Sequence, residues 1–174
     1  MTDLVLTLIG PDRPGIVEAL AEPIAAHGGN WLESRMAHLA GKFAGILRIE
    51  VPPSNVTALV QALDALEQRG LRVVVEPSTP AAAEAPRRIM ELDLVGLDRP
   101  GIVREISRTL VAHGVNIEEL VTDRTTAPMT AEPLFRARAR VQLPASADVA
   151  SLRGRLERLA GDLMVEVKLV EPEA

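Results

Sequence analysis

The chain has no cysteine and no tyrosine, and its aromatic residues are Trp31, Phe43 and Phe135 alone. Without cysteine there is no disulfide framework and no thiolate metal site. With so few aromatics, Leu, Val, Ile and Ala must fill the interior. Histidine is also scarce: His27, His38 and His113 form no close ligand pair, so neither a zinc site nor any cofactor is expected. Positive charge is not in excess. The net charge of −5 argues against direct nucleic-acid binding. The opening "MTDLVLTLIG" lacks the basic region and apolar core of a signal peptide. No apolar run is long enough to cross a membrane. These absences lead to the expectation of a cytoplasmic protein.

What is present is a repeat. "GPDRPGIV" at Gly10–Val17 returns as "GLDRPGIV" at Gly96–Val103, 86 positions later. At that offset Thr7–Glu33 aligns with Asp93–Glu119, and 13 of the 27 pairs are identical. They include His27/His113, Gly28/Gly114, Asn30/Asn116 and Glu33/Glu119. Two amphipathic helices do not match so densely by accident, and the pattern reads as a duplication. Between the copies, "PSTPAAAEAP" at Pro77–Pro86 has three prolines and no amphipathic period. It reads as a semi-rigid linker. The expected division is a first domain over 1–76, a linker over 77–87 and a second domain over 88–174. At 174 residues each half is small for an independent core.

Each copy reads as strand, helix, strand, strand, helix, strand. Leu4–Ile9 is apolar at nearly every position, as a strand buried on both faces would be. Pro14 lies near a helix start, and Ile16, Leu20, Ile24 and His27 share one helical face. Pro23 falls inside that helix and predicts a kink, or a break at Glu22. Gly28-Gly29 ends it. Asn30–Leu39 and Lys42–Val51 flank an "AG" hairpin turn. Ser54 is expected to cap a second helix that ends at Gly70, before the last strand "LRVVVE". The second copy repeats the order: strand Ile89–Val95, helix Pro100–His113, strands Val115–Thr125 and Leu134–Leu143. A helix capped by Ser146 and ended by Gly161 precedes strand Leu163–Val170. This is an α+β chain of two ferredoxin-like βαββαβ units, each with a four-stranded antiparallel sheet and both helices on one face.

The other face of each sheet differs between the copies. In the second, "FRARARV" sends Arg136, Arg138 and Arg140 outward, where Glu91 and Asp93 of the neighbouring strand can pair with them. In the first, the equivalent face carries Val5, Thr7, Ala44, Ile46 and Arg48. That apolar surface predicts association with another copy or another chain, a possible homodimer.

The repeated octet suggests a ligand site. Gly10–Arg13 supplies backbone N–H groups and the Asp12 carboxylate. The helix after Pro14 offers unpaired N–H groups and a partial positive charge, a seat for a carboxylate. Gly15 removes a side chain from the approach. Asn30 opens the next strand and can donate and accept. Together these could hold an α-amino acid, with Asp12 on its ammonium group. The set recurs as Gly96, Asp98, Arg99, Pro100, Gly101 and Asn116. The same residues also admit a structural reading: Asp12 as a helix cap, Gly15 for close packing, and Asn30 as a residue tolerant of left-handed backbone. No nucleophile–base pair is visible, so no catalytic activity is expected.

The residues "GxDRPGIVxxIxxxLxxHGVNIEEL" of the second copy resemble an ACT domain. "HGGNWLESRMAHLAGKFAG" at His27–Gly45 and "TAPMTAEPLFRARARVQLP" at Thr126–Pro144 resemble the two repeats of the glycine cleavage system transcriptional repressor family. The likeness spans both copies. It departs at Ala131, where the family pattern often has Gly. The resemblance implies paired ACT domains with their sheets side by side, and a non-catalytic regulator that senses a small amino acid, glycine first. It implies a protein partner, a DNA-binding activator of glycine cleavage genes. It places the ligand near Gly10–Gly15 with Asn30 and near Gly96–Gly101 with Asn116, where ACT units meet. The alternative is a structural interaction module that binds no small ligand. The second hairpin is six residues longer than the first, and "TTAPMTAEP" is expected to act as a lid or a partner contact.

Overall fold

A computed structural model describes residues 1–78, 87–127 and 131–172 of the chain. The linker reading falls largely on 79–86, and the centre of the longer hairpin loop on 128–130, so both lie outside the described residues. The chain divides into two compact units, Met1–Ala81 and Ala82–Ala174.

Unit 1 runs β1 (Thr2–Pro11), α1 (Ile16–Ala26), β2 (Asn30–Leu39), β3 (Lys42–Val51), α2 (Val56–Asp64) and β4 (Arg72–Pro77). Unit 2 runs β5 (Arg87–Leu97), α3 (Ile102–Ala112), β6 (Asn116–Thr126), β7 (Pro133–Pro144), α4 (Val149–Leu163) and β8 (Val165–Val170). Each sheet has four antiparallel-paired strands, in the order β2-β3-β1-β4 and β6-β7-β5-β8. This is the expected βαββαβ arrangement, twice. Each core is a layer of Leu, Ile and Val between one sheet face and the two helices. Leu6, Leu20, Leu47, Ile49, Leu59 and Leu63 are its centre in unit 1, and Met90, Leu110, Val141, Leu152 and Leu156 in unit 2.

The duplication extends to local geometry. Each edge strand β2 and β6 carries a bulge at the same repeat position, at Leu32 and Glu118. Helices α1 and α3 both end in a Schellman motif: Gly29 N–H bonds Ile24 O at 2.8 Å, and Val115 N–H bonds Leu110 O at 3.0 Å. Gly28 and Gly114 take the required left-handed backbone, each at φ 68°. His27 and His113 add a ring-nitrogen bond to the carbonyl four residues back, Pro23 O at 2.7 Å and Thr109 O at 2.9 Å. Their recurrence is explained by finishing a helix.

Several local expectations are corrected. β1 is not buried on both faces: Leu4, Leu6 and Leu8 are buried, while Thr7 and Ile9 are exposed. Its uninterrupted apolar run reflects one core face and one open apolar face. α1 is continuous through Pro23. Residues 16–18 begin the helix, so Pro14 stands before the cap residue Gly15 and outside the helix. Ser54 is not a cap. It sits in a 3-10 turn, Pro53–Asn55, and its hydroxyl bonds Asn55 Oδ1 at 3.0 Å. α2 continues as a second 3-10 stretch, Ala65–Arg69, to left-handed Gly70. Ser146 is not a cap either. Asp148 caps α4, its Oδ1 accepting from Ser151 N–H at 3.0 Å. Gly161 does not end α4, which runs on to Leu163 and is closed by Met164 at φ 53°. The later end of α4 has a packing cause: the helix buries Ala160 and Leu163, so packing carried it past the glycine.

Candidate functional site

Each octet is the bend between the first strand and first helix of its unit, and it is tied down on two sides. Asp12 N–H bonds Gly41 O at 3.0 Å, and Asp98 N–H bonds Pro133 O at 2.9 Å. These bonds fix the bend to the β2–β3 and β6–β7 hairpins. On the other side Arg13 Nη2 donates to Arg69 O at 2.6 Å, and Arg99 Nη2 donates to Asp162 O at 3.3 Å. Both guanidinium groups therefore clasp the C-terminal end of the second helical stretch, where free carbonyls and the helix dipole favour a cation. This role gives a structural reason for the repeated arginine that its spacing did not reveal.

Gly15 and Gly101 are the cap residues of α1 and α3, at φ 87° and 96°. A Cβ built on Gly101 would meet nothing within 4 Å, and one on Gly15 would reach only Glu18 Oε2 at 3.8 Å. The close-packing explanation for these glycines is thereby removed: backbone conformation demands them. No side chain caps either helix start, so neither Asp12 nor Asp98 is the cap. Asp12 Oδ2 instead lies 3.7 Å from His38 Nε2, and Asp98 Oδ2 lies 2.7 Å from Arg124 Nε. The first-turn N–H groups point away from the helix body with their partial positive charge uncapped by a side chain. In unit 1 two open hollows flank the bend. One, of about 350 Å³, is bounded by Pro14, Gly15, Glu22 and Arg69; the other, of about 380 Å³, by Asp12, Val17 and Phe43.

The asparagines are not beside these bends. β1 and β2 both pair antiparallel to β3 and so run in the same direction. Asn30 is opposite Glu50, which is opposite Asp3, whereas Gly10 is opposite Phe43. Asn116 is likewise level with Ile89 through Gln142, seven residues from Gly96. Seven strand residues separate each asparagine from its octet by about 20 Å along the sheet. The expectation that both groups of one unit grip the same small ligand is corrected by this register. Asn30 Nδ2 bonds Glu50 Oε1 across the strands at 3.2 Å. Chain order contained the warning: a helix returning the chain between two parallel strands sets their starts at the same end.

Gly10 and Gly96 have a packing role. A Cβ on Gly10 would stand 2.9 Å from Gly70 O, and one on Gly96 would overlap Val165. They let the last strand of each unit close against the bend.

A family model described as the ACT domain matches residues 2–76. The first unit is an ACT domain, and the second repeats its fold. The glycine cleavage system transcriptional repressor of Escherichia coli (strain K12) is 26% identical over 163 residues, covering 92% of this chain and 85% of that protein. The UPF0237 protein MK1213 of Methanopyrus kandleri is 33% identical over 79 residues, 44% of this chain and 88% of its own length. Among solved structures, a protein of unknown role from Galdieria sulphuraria superposes with a TM-score of 0.87 at 28% identity, covering 99% of both chains. A structure provisionally described as a glycine cleavage system transcriptional repressor matches with a TM-score of 0.68 at 21% identity, covering 97% of this chain and 95% of its own. Both units have the same sheet order, the same bulge and the same glycine-capped bend.

Proposed function

We propose that this chain is a tandem ACT-domain protein and a non-catalytic, cytoplasmic regulator that responds to a small amino acid, with glycine as the first candidate. It would act through contact with a DNA-binding transcription activator of glycine cleavage genes rather than on DNA. The similarity to the Escherichia coli repressor over most of both chains supports the regulatory role. The observation that carries the ligand reading is the twice-made bend: a left-handed glycine opens a helix whose first N–H groups no side chain occupies. Such a terminus suits a carboxylate. The second bend suits it better. Arg104 stands where the first repeat has Glu18, and Arg108 where it has Glu22. Asp98 is already neutralised by Arg124. The ligand carboxylate is therefore assigned to the Pro100–Gly101 bend, with Gly96, Asp98 and Arg99 shaping it. The Gly10–Gly15 bend, where Glu18 and Glu22 stand in place of the arginines, suits a carboxylate less well.

The test is a calorimetric titration of the full chain with glycine, serine and larger amino acids. A saturable signal for one of them, weakened several-fold in Arg104→Glu and unchanged in Asn116→Ala, is the expected result. The distance between asparagine and octet favours a second reading, a scaffold that binds no small ligand. A titration flat for every amino acid selects the scaffold.

A further inference from the structure

The open face of the unit 1 sheet carries an interaction surface that the ligand reading does not use. Its residues follow from register. Thr7 is opposite Ile46 on one side and Val74 on the other. Ile9 is opposite Ala44 and Arg72, and Val5 is opposite Arg48 and Glu76. The apolar members are far from covered: Ile46 is 51% exposed, Val74 47% and Ile9 42%. The same places in unit 2 hold charges. Arg138, Asp93 and Lys168 replace Ile46, Thr7 and Val74, and Arg136 replaces Ala44. One copy of a duplicated sheet has thus kept a solvated face while the other presents an apolar one.

The arrangement of charge around the apolar centre selects an occupant. Arg72 and Glu76 lie on the same strand, one row to either side of Val74. A two-fold axis crossing the strands along the Thr7 row exchanges those two rows. It lays Ile46 and Val74 on their own counterparts, Val5 on Ile9, and each Glu76 over an Arg72. The match is self-complementary, as a closed two-fold interface requires, and it is the aligned packing of a β-sandwich. The one meeting of like charges is Arg35 with itself. It falls on β2, an edge strand as β4 is, and two Glu76–Arg72 pairs stand against that one repulsion. We propose that the chain forms a homodimer through the unit 1 sheet face, packed on the same face of a second copy. The face measures about 20 Å by 20 Å, about 400 Å² per copy. That is half of a standard interface of about 800 Å² per partner, which makes the dimer reversible rather than obligate.

Sedimentation velocity on the full chain over a wide range of concentration tests this. The expected result is a monomer–dimer equilibrium. Val74→Lys should raise its dissociation constant at least about tenfold, with the circular dichroism spectrum and melting temperature retained. Arg72→Glu should weaken the dimer, and the exchange Arg72→Glu with Glu76→Arg should restore it, an outcome that damage to the fold does not produce. Arg35→Ser should tighten it. A chain that stays monomeric throughout overturns the proposal. So does a dimer indifferent to Val74→Lys and to Arg72→Glu, or a charge exchange that fails to restore a dimer lost in the single variant.

Discussion

The two units keep one backbone and dress it oppositely. In unit 1 the first helical turn after the octet carries Glu18, the next Glu22, and the octet aspartate lies 3.7 Å from His38. In unit 2 the matching residues are Arg104 and Arg108, and the aspartate is held by Arg124 at 2.7 Å. The sheet faces diverge too. Unit 1 shows Ile9, Ile46 and Val74 to solvent, beside an Asp3–Arg48–Glu33 ion cluster in which the Asp3 hydrogen bond raises the Arg48 pKa above its ordinary value. Unit 2 shows rows of charge, with Arg138 on Asp93 at 3.3 Å and Arg140 on Glu118 at 3.2 Å. The expected pairing of arginines with Glu91 and Asp93 is thus met at Asp93; Arg140 reaches across to the bulge residue instead. The lesson is that the duplicated segments constrain backbone (glycines, the clasping arginine, the helix-ending histidine), while surface charge was free to separate the roles of the two halves.

The interiors also differ, and this gives the largest test. Leu6 is opposite Leu47 in unit 1, whereas the matching Leu92 is opposite Ala139 in unit 2. Trp31 is matched by Ile117. Those smaller residues line an apolar crevice of about 30 Å³ under α3, with Ile106 and Phe135. Leu47→Ala is expected to cost about 3–4 kcal/mol by denaturant unfolding, whereas Ala139→Val, whose two added methyls partly enter the crevice, should cost no more than about 1 kcal/mol. Equal losses would erase the difference between the cores.

The bends come next. Gly96→Ala should destabilise by about 2–3 kcal/mol, because the added methyl collides with both side chain and backbone of Val165. Gly10→Ala should cost about 1 kcal/mol less, since Leu71 is a flexible neighbour there although Gly70 O is not. The smallest effects belong to the left-handed residues that are not glycine: Ala40 in the unit 1 hairpin turn (φ 48°), Ala131 (φ 57°) and Met164 (φ 53°) in unit 2. Each change to glycine should raise stability by up to about 1 kcal/mol, seen as a higher melting temperature. Ala131 is the position where the family pattern often has glycine, and its backbone supplies the reason.

Periodicity and the repeat carried most of the fold to the reader of the sequence. Strands β2 and β3 lie where the alternation put them, at Asn30–Leu39 and Lys42–Val51, because a two-residue turn with Gly at its second position admits little else. Helix ends were less legible. Ser54 and Ser146 were plausible caps by residue type, but a cap is chosen by where packing starts the helix. The site was legible as a backbone feature and misread as a convergence. The sequence offers Gly15 and Gly101 as room for a ligand or for packing, whereas the structure gives them left-handed backbone at a helix start. Whether Asn30 stands beside that bend depends on strand direction and register, which arise only when distant segments pair. The sequence alone therefore determined two βαββαβ units, their glycine-opened helices and their unlike surfaces, all local consequences of side-chain size and pattern. Tertiary structure alone decided that octet and asparagine part company and that Arg13 and Arg99 clasp a helix end. Those facts rest on pairings between residues far apart in the chain, and no local rule contains them.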